Sequence, residues 1–199
     1  MVQVKLTKTE LRLQQLKHGR LSKYLPTLQL KKAMLQLEVN QAQGEIDQLR
    51  AELAIHRGYV EGYCPLFSDF RAIDLFSAVK IASVQTSHEN IAGVDVPVFD
   101  QVVFESGEYY LFDTPIWMES AVAGVKKMLL VTEKIRVVET KKELLERELR
   151  EVSIRVNLFE KILIPRAQQN IKKIKIFLGD QQLAAVSQAK VAKKKIEAR

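Results

Sequence analysis

The sequence predicts a mainly α-helical protein whose N- and C-terminal arms pair as a long antiparallel two-helix coiled coil, with a short α+β cap containing a β-hairpin between them. Apolar residues recur every 3.5 positions in both arms, which is the period of a coiled-coil seam. The residues between the arms lose that period and carry strand-like alternation with turn residues. We therefore expect an N-terminal arm over 1–60, an acidic middle segment over 61–115 and a C-terminal arm over 116–199.

Charge is distributed very unevenly along the chain. Residues 1–30 carry six Lys and Arg against Glu10 alone, and residues 161–199 carry ten against two acids. Residues 61–125 carry ten Asp and Glu against two basic residues. If the arms are antiparallel, both basic ends meet at one tip and the acidic segment lies at the other.

Composition narrows the class of protein. The net charge of +7 over 199 residues suggests nucleic acid, a membrane surface or an acidic protein as partner. One cysteine, Cys64, excludes an internal disulfide. No apolar run has the length of a membrane helix and the first residues lack a secretory h-region, so we expect no direct membrane insertion.

The first arm is predicted to be helical from about Thr7, where Thr7 and Glu10 have the spacing of a capping box. Pro26 lacks a backbone donor and predicts a kink or a break near Leu25. The seam of this arm is Leu35, Val39, Ala42, Ile46, Leu49, Leu53, His56 and Val60.

The second arm is predicted from about Ile116 to the C-terminus. Lys142 is the one charged residue within its seam, and Pro165 predicts an irregularity. The step from Leu163 to Ala167 is four residues where three was due, which predicts a local stutter at the proline. The seam comprises Val131, Ile135, Val138, Lys142, Leu145, Leu149, Val152, Val156, Phe159, Leu163, Ala167, Ile171, Ile174 and Leu178.

The middle segment predicts one short helix and one hairpin. Residues 68–79 have helical spacing, and 80–86 alternate as in a strand. A turn is expected between His88 and Gly93, followed by a second strand over 94–99 in which Pro97 indicates an edge or a strand end.

Residues that could support catalysis or metal binding are not grouped. His18, His56 and His88 are far apart, without companions at metal-ligand spacing, and Cys64 has no basic neighbour. No phosphate-binding glycine loop is present. We therefore expect no cofactor, no metal and no enzymatic activity of the chain itself.

Several stretches together resemble the D subunit of V/A-type rotary ATPases, which is the rotor subunit of the central stalk. The opening helix LTKTELRLQQLKHGRLSKYL resembles that of the family, as do Asn90–Pro97 (NIAGVDVP) and the run from Arg155 to Glu160 (RVNLFE) followed by Ile164-Pro165-Arg166. These fragments occur in the order found in the family, and the match spans nearly the whole chain. Pro26 departs from the family pattern.

The resemblance implies a non-catalytic shaft that transmits torque between a hexamer of catalytic and regulatory subunits and a membrane ion-translocating ring. It implies contacts with the small F subunit of the rotor and with the subunit that caps the ring, no nucleic acid, and a cytoplasmic position peripheral to the membrane. The resemblance also implies two sets of residues that contact partner subunits. The hexamer would contact Lys17, Arg20, Arg155, Asn157, Pro165, Arg166, Lys172 and Lys173, and the hairpin contacts would be Asn90, Ile91, Gly93, Val94 and Pro97.

Two alternatives stay open from the residues alone. A free-standing basic coiled-coil hairpin could bind nucleic acid or an anionic membrane surface, although no aromatic residues are interleaved with the Lys and Arg tracts to stack on bases. The gamma shaft of F-type synthases also pairs its terminal helices, but it carries a larger domain between them than the roughly 55 residues available here.

Overall fold

A computed structural model describes residues 4–62, 65, 79–106, 115 and 117–198 of the chain. Its described elements are three long α-helices, one π-helical turn and two antiparallel strands. In chain order they are α1 (Lys8–Glu61), β1 (Val79–Ile91), β2 (Val94–Ser106), α2 (Met118–Leu158), the π-helix (Phe159–Leu163) and α3 (Ile164–Glu197). The mainly α-helical class with a β-hairpin in the middle is confirmed.

The chain forms two compact units, which we describe separately. The terminal unit contains the N-terminal residues up to Lys32 together with the chain from Glu151 onward. The central unit contains the residues from Ala33 to Arg150. Both basic ends of the sequence therefore belong to the same unit.

The helix start predicted at Thr7 is present in the terminal unit. The Thr7 Oγ1 accepts a hydrogen bond from the Glu10 N–H at 3.2 Å, which satisfies one of the free donors of the first turn. The Glu10 side chain accepts instead from the Gln14 amide at 2.8 Å. The reciprocal half of the predicted capping box is thus replaced by a bond to the next turn.

The break expected near Leu25 is wrong, because α1 continues without interruption through Pro26. The proline removes the donor that would pair with the Ser22 carbonyl. The Thr27 hydroxyl donates to the Tyr24 carbonyl at 2.7 Å, a bond in the neighbouring turn that does not replace the missing one. Leu25 is half-buried, so the helix gains packing where it loses backbone bonding.

The irregularity predicted at Pro165 is present, and it is a π-helical turn. The Ile164 N–H donates to the Phe159 carbonyl, five residues back, and α3 resumes with the proline in its first turn. The fixed φ of proline, about −65°, is compatible with the first turn of a helix. The seam remains buried on both sides, at Val156, Ala167 and Ile174.

The central unit contains the other part of the predicted seam. Leu35 and Leu145 are fully buried, and Ala42, Ile46 and Val138 form a shared core cluster. Polar contacts run between the same two helices. Their order is antiparallel: Lys142 Nζ donates to Gln43 Oε1 at 2.7 Å, and Arg50 donates to Glu139 at 2.8 Å.

The hairpin is longer than the sequence indicated. The turn predicted from His88 to Gly93 contains only Ala92 and Gly93, because β1 extends to Ile91 and pairs with β2 from Val94. Both turn residues have positive φ, 51° and 82°, as a two-residue type I′ turn requires. Pro97 lies within β2 opposite His88 in a two-stranded sheet, so its edge-strand assignment is confirmed.

The base of the hairpin packs on the beginning of α2. Val79 forms a buried cluster with Met118 and Val122, and Phe104 packs against it. The expected helix over 68–79 lies outside the described residues, except that Val79 begins β1 and is not helical. Residues 64 and 116, which the sequence analysis also used, lie outside the described residues.

Candidate functional site

The terminal unit concentrates the positive charge of the protein. Its sequence contains nineteen Lys and Arg against five Asp and Glu, whereas the residues from Ala33 to Arg150 contain twelve against nineteen. Since most of these side chains are exposed, the terminal unit presents a cationic surface of a kind that attracts acidic partners. The contrast arises because the antiparallel fold brings residues from both ends of the chain into one unit.

One groove of this surface joins two of the predicted contact residues. Lys17 of α1 and Arg166 of α3 line a depression of about 470 Å³ with Ala167 among its lining residues. Glu10 is the one acidic residue in that lining. The resemblance implies that Lys17 and Arg166 contact the same partner, and in the structure both residues line this one groove.

A second groove contains Lys172, a third predicted contact residue. It is lined by His18 of α1 and by Lys172, Lys175 and Ile176 of α3, with a volume of about 430 Å³. The His18 and Gln168 Nε2 atoms lie 3.1 Å apart across the helix pair. The cations of this groove therefore lie beside an exposed apolar side chain, Ile176.

Arg20 belongs to a different depression, on α1 itself. Gly19 leaves the helix surface open there, since a Cβ at that position would meet nothing within 4 Å. The depression measures about 550 Å³, and Arg12, Arg20 and Lys23 converge on it. No acidic residue is among its described lining residues.

The remaining predicted hexamer contacts are not gathered into one site. Arg155 is exposed and donates to Glu151 at 3.0 Å within α2, while Asn157 and Lys173 are exposed on their helices. Pro165 is half-buried after the π-helix. Together with the grooves, these positions define an extended surface of the terminal unit and no enclosed pocket.

The predicted hairpin residues surround the turn between β1 and β2. Asn90 is exposed, and its side chain serves the turn: Oδ1 accepts from the Gly93 N–H at 3.0 Å, and Nδ2 donates to Asp95 at 2.6 Å. Ile91, Val94 and Pro97 are half-buried, and Gly93 is exposed. The part of this set that a partner could reach most readily is the tip itself.

A groove of the central unit was not foreseen from the sequence. Residues from β2, α1 and α2 line a groove of about 510 Å³, and Phe99 and Lys134 are among them. The Lys134 ammonium lies 5.6 Å from the centre of the Phe99 ring, within cation–π range. No local pattern joins these residues, because the hairpin must dock on α2 before they meet.

These surfaces are suited to binding a macromolecule. Among the described residues, no group of three or more His, Cys, Asp or Glu is placed to hold a metal ion. None of the described helices is long and apolar enough to cross a membrane. The geometry offers open grooves that combine exposed cations with apolar side chains, which suits an acidic macromolecular partner.

Comparisons with known proteins agree with this organisation. Residues 10–194 match the model of the family described as the D subunit of ATP synthase. The V-type ATP synthase D subunit of Chlamydia muridarum is 45% identical over 196 residues, covering 98% of this chain and 97% of that protein. The Chlamydia caviae and Chlamydia pneumoniae proteins of the same name are each 42% identical, over 99% and 100% of this chain and 95% of theirs.

The fold and its surfaces define a two-helix coiled-coil protein with a central β-hairpin and a cationic terminal unit. Because the family model covers nearly the whole chain and full-length relatives exceed 40% identity, the family is established. This chain belongs to the family of V-type ATP synthase D subunits. The alternative of a free-standing hairpin that binds nucleic acid or membranes receives no support from the comparisons.

Proposed function

We propose that this chain is the central-stalk rotor subunit of a V/A-type rotary ATP synthase or ATPase, and that it is not itself catalytic. It would transmit torque between the hexamer, where ATP is made or hydrolysed, and the membrane ion-translocating ring. The observation that carries this proposal is the full-length match to proteins named as V-type ATP synthase D subunits. The chain would act on the cytoplasmic side, at the periphery of the membrane.

The two-helix architecture supports a role in conformational coupling. A pair of helices has no threefold axis, so inside a pseudo-threefold hexamer it would present a different face to each catalytic site. Rotation would then favour a different conformation at each site in turn, which is the differential contact that coupling requires. A seam packed by apolar residues every three and four positions resists twisting better than a single helix would.

The cationic terminal unit would contact the catalytic and regulatory subunits of the hexamer. In support of this, Lys17 and Arg166 line one groove, Lys172 lines a second and Arg20 a third, and Arg155, Asn157, Pro165 and Lys173 belong to the same unit. The middle segment over 61–115 and the adjoining parts of the two arms would bind the small F subunit of the rotor. The base of the rotor shaft would rest on the subunit that caps the membrane ring.

Reconstitution tests this assignment. The full-length chain is mixed with the hexamer subunits and the F subunit, and the products are analysed by size-exclusion chromatography and an ATPase assay. One copy per hexamer with altered steady-state turnover supports the rotor function. Failure to assemble, together with salt-sensitive binding to DNA or to anionic vesicles, would support the basic-hairpin alternative.

The contact residues are tested by removing charge in two places. The variant Lys17→Ala/Lys172→Ala should weaken assembly with the hexamer, because both positions line grooves of the cationic unit. The matched control is Lys80→Ala/Lys127→Ala, which removes two exposed lysines from the central unit. Equal assembly of both variants would show that the terminal grooves are not the hexamer contact.

The hairpin tip is proposed to influence turnover without binding nucleotide. Ala92 and Gly93 turn the chain at an exposed end stabilised by Asn90, and a partner could reach this tip without disturbing the hairpin base. Shortening the hairpin symmetrically by removing residues 88–97 and joining the strands with Asn-Gly should change ATPase turnover in the assembled complex. If the shortened variant shows normal hydrolysis and normal coupling, the tip serves only as a turn for folding.

A further inference from the structure

The π-helix and Pro165 occupy the place where the seam of the terminal unit gains one residue. Seam positions alternate in steps of four and three through Val152, Val156, Phe159 and Leu163. A strict heptad would continue at residue 166, but the buried position is Ala167. Every later seam residue is displaced by the same single position, as at Ile174, which is fully buried.

One extra residue in a straight α-helix rotates everything beyond it by about 100°, because a turn contains 3.6 residues. Such a rotation would move the later residues off a heptad seam. Val156 and Ala167 are 4% and 3% exposed, so the seam stays buried on both sides of the irregularity. A turn that holds one residue more than an α-helical turn would absorb the residue added to the heptad pattern.

We propose that the π-helix is a register adapter that absorbs a single inserted residue and keeps the C-terminal helix on the seam across Pro165. A π-helical turn closes with one more residue than an α-helical turn, as the bond from the Ile164 N–H to the Phe159 carbonyl demonstrates. The insertion in the sequence and the widened turn in the structure are each one residue. They occur within the same nine positions, 159–167.

Proline at position 165 fits the adapter for a chemical reason. Where the backbone returns from bonds five residues back to bonds four residues back, the regular hydrogen-bond ladder is already interrupted. Proline, which interrupts an α-helical ladder by itself, therefore disrupts less at this point than in the interior of an unbroken α-helix. On this account the inserted residue causes the π-helix, and the proline occupies a position where it is tolerated.

Deletion of Pro165 in the full-length chain tests the proposal. The deletion restores steps of four and three through the whole seam, so the melting temperature measured by circular dichroism should equal or exceed that of the parent chain. The control deletes Glu143, an exposed residue within an unbroken part of the repeat. It should lower the melting temperature by roughly 10 °C or more, because buried seam residues such as Leu145 would leave the core.

Amide hydrogen exchange tests whether the inserted residue or the proline causes the π-helix. Amides of residues 159–164 should exchange faster than those of the flanking helices in the parent chain, and equally fast in Pro165→Ala, which retains the insertion. Only the deletion of Pro165 should slow them to the rate of the flanking turns. The proposal is overturned if Pro165→Ala alone slows these amides, or if deleting Pro165 destabilises the chain as much as deleting Glu143.

Discussion

Gly124 marks the closest approach between α1 and α2 that the glycines of the described residues reveal. A Cβ added at Gly124 would lie 2.8 Å from the Val60 Cγ2, which is closer than packed carbon atoms allow. A Cβ added at Gly44, in the interior of α1, would meet nothing within 4 Å. Comparing alanine substitutions at the two glycines therefore separates the effect of helix propensity from the cost of close packing.

Gly44→Ala should stabilise the protein by up to about 1 kcal/mol, the difference in helix propensity between the two residues. Gly124→Ala gains the same propensity but incurs an overpacking cost of about 1–3 kcal/mol against the branched Val60 side chain. Its expected net effect is a loss of about 0–2 kcal/mol. The two variants should consequently differ by about 1–3 kcal/mol, or several degrees in melting temperature for a chain of this size.

Urea unfolding followed by circular dichroism measures both variants on the full-length chain. Adding Val60→Ala to Gly124→Ala should recover part of the loss, and the double-mutant cycle should give a favourable coupling energy because the clash is relieved. If Gly124→Ala is as stabilising as Gly44→Ala, the close approach of the two helices does not exist in solution. Additive effects of Val60→Ala and Gly124→Ala would refute the same reasoning.

Two further predictions concern the hairpin turn and the polar seam position. Ala92 has a positive φ of 51°, a conformation that Asn adopts more readily than Ala, so Ala92→Asn should stabilise the type I′ turn by about 1 kcal/mol. Slower amide exchange along both strands would confirm this prediction, and unchanged exchange would contradict it. Gln43→Leu should cost about 1–2 kcal/mol because the Lys142 ammonium loses its 2.7 Å acceptor. Adding Lys142→Leu should recover most of that loss in urea unfolding, whereas simply additive losses would show that the pair is not coupled.

Features with a local signal could be predicted from the sequence. The seam positions from Leu35 to Val60 and from Val131 to Leu178 are buried or half-buried as expected, since helical periodicity is encoded in neighbouring residues. The irregularity at Pro165 was predictable for the same reason. Pro26 shows the limit of this reasoning, because the same local rule predicted a break where α1 continues.

Contacts between residues distant in sequence could not be predicted in the same way. Lys142 interrupts the seam when the sequence is read alone, but its partner Gln43 lies 99 positions away. The groove that contains Phe99 and Lys134 depends on how the hairpin docks on α2. The exact hairpin turn was also missed, because polar residues such as His88 and Glu89 are tolerated in a long exposed strand.

The helical class, the antiparallel pairing of the arms, the existence of the hairpin and the family resemblance could all be inferred from the amino-acid sequence. These properties follow from periodicity, charge distribution and short motifs, which are local features of the chain. Only the folded structure shows which cations share a groove, which polar residues pair across the helices and how the helix continues past Pro165. Those properties depend on distances between segments, and the distances are fixed only when the two helices pack against each other.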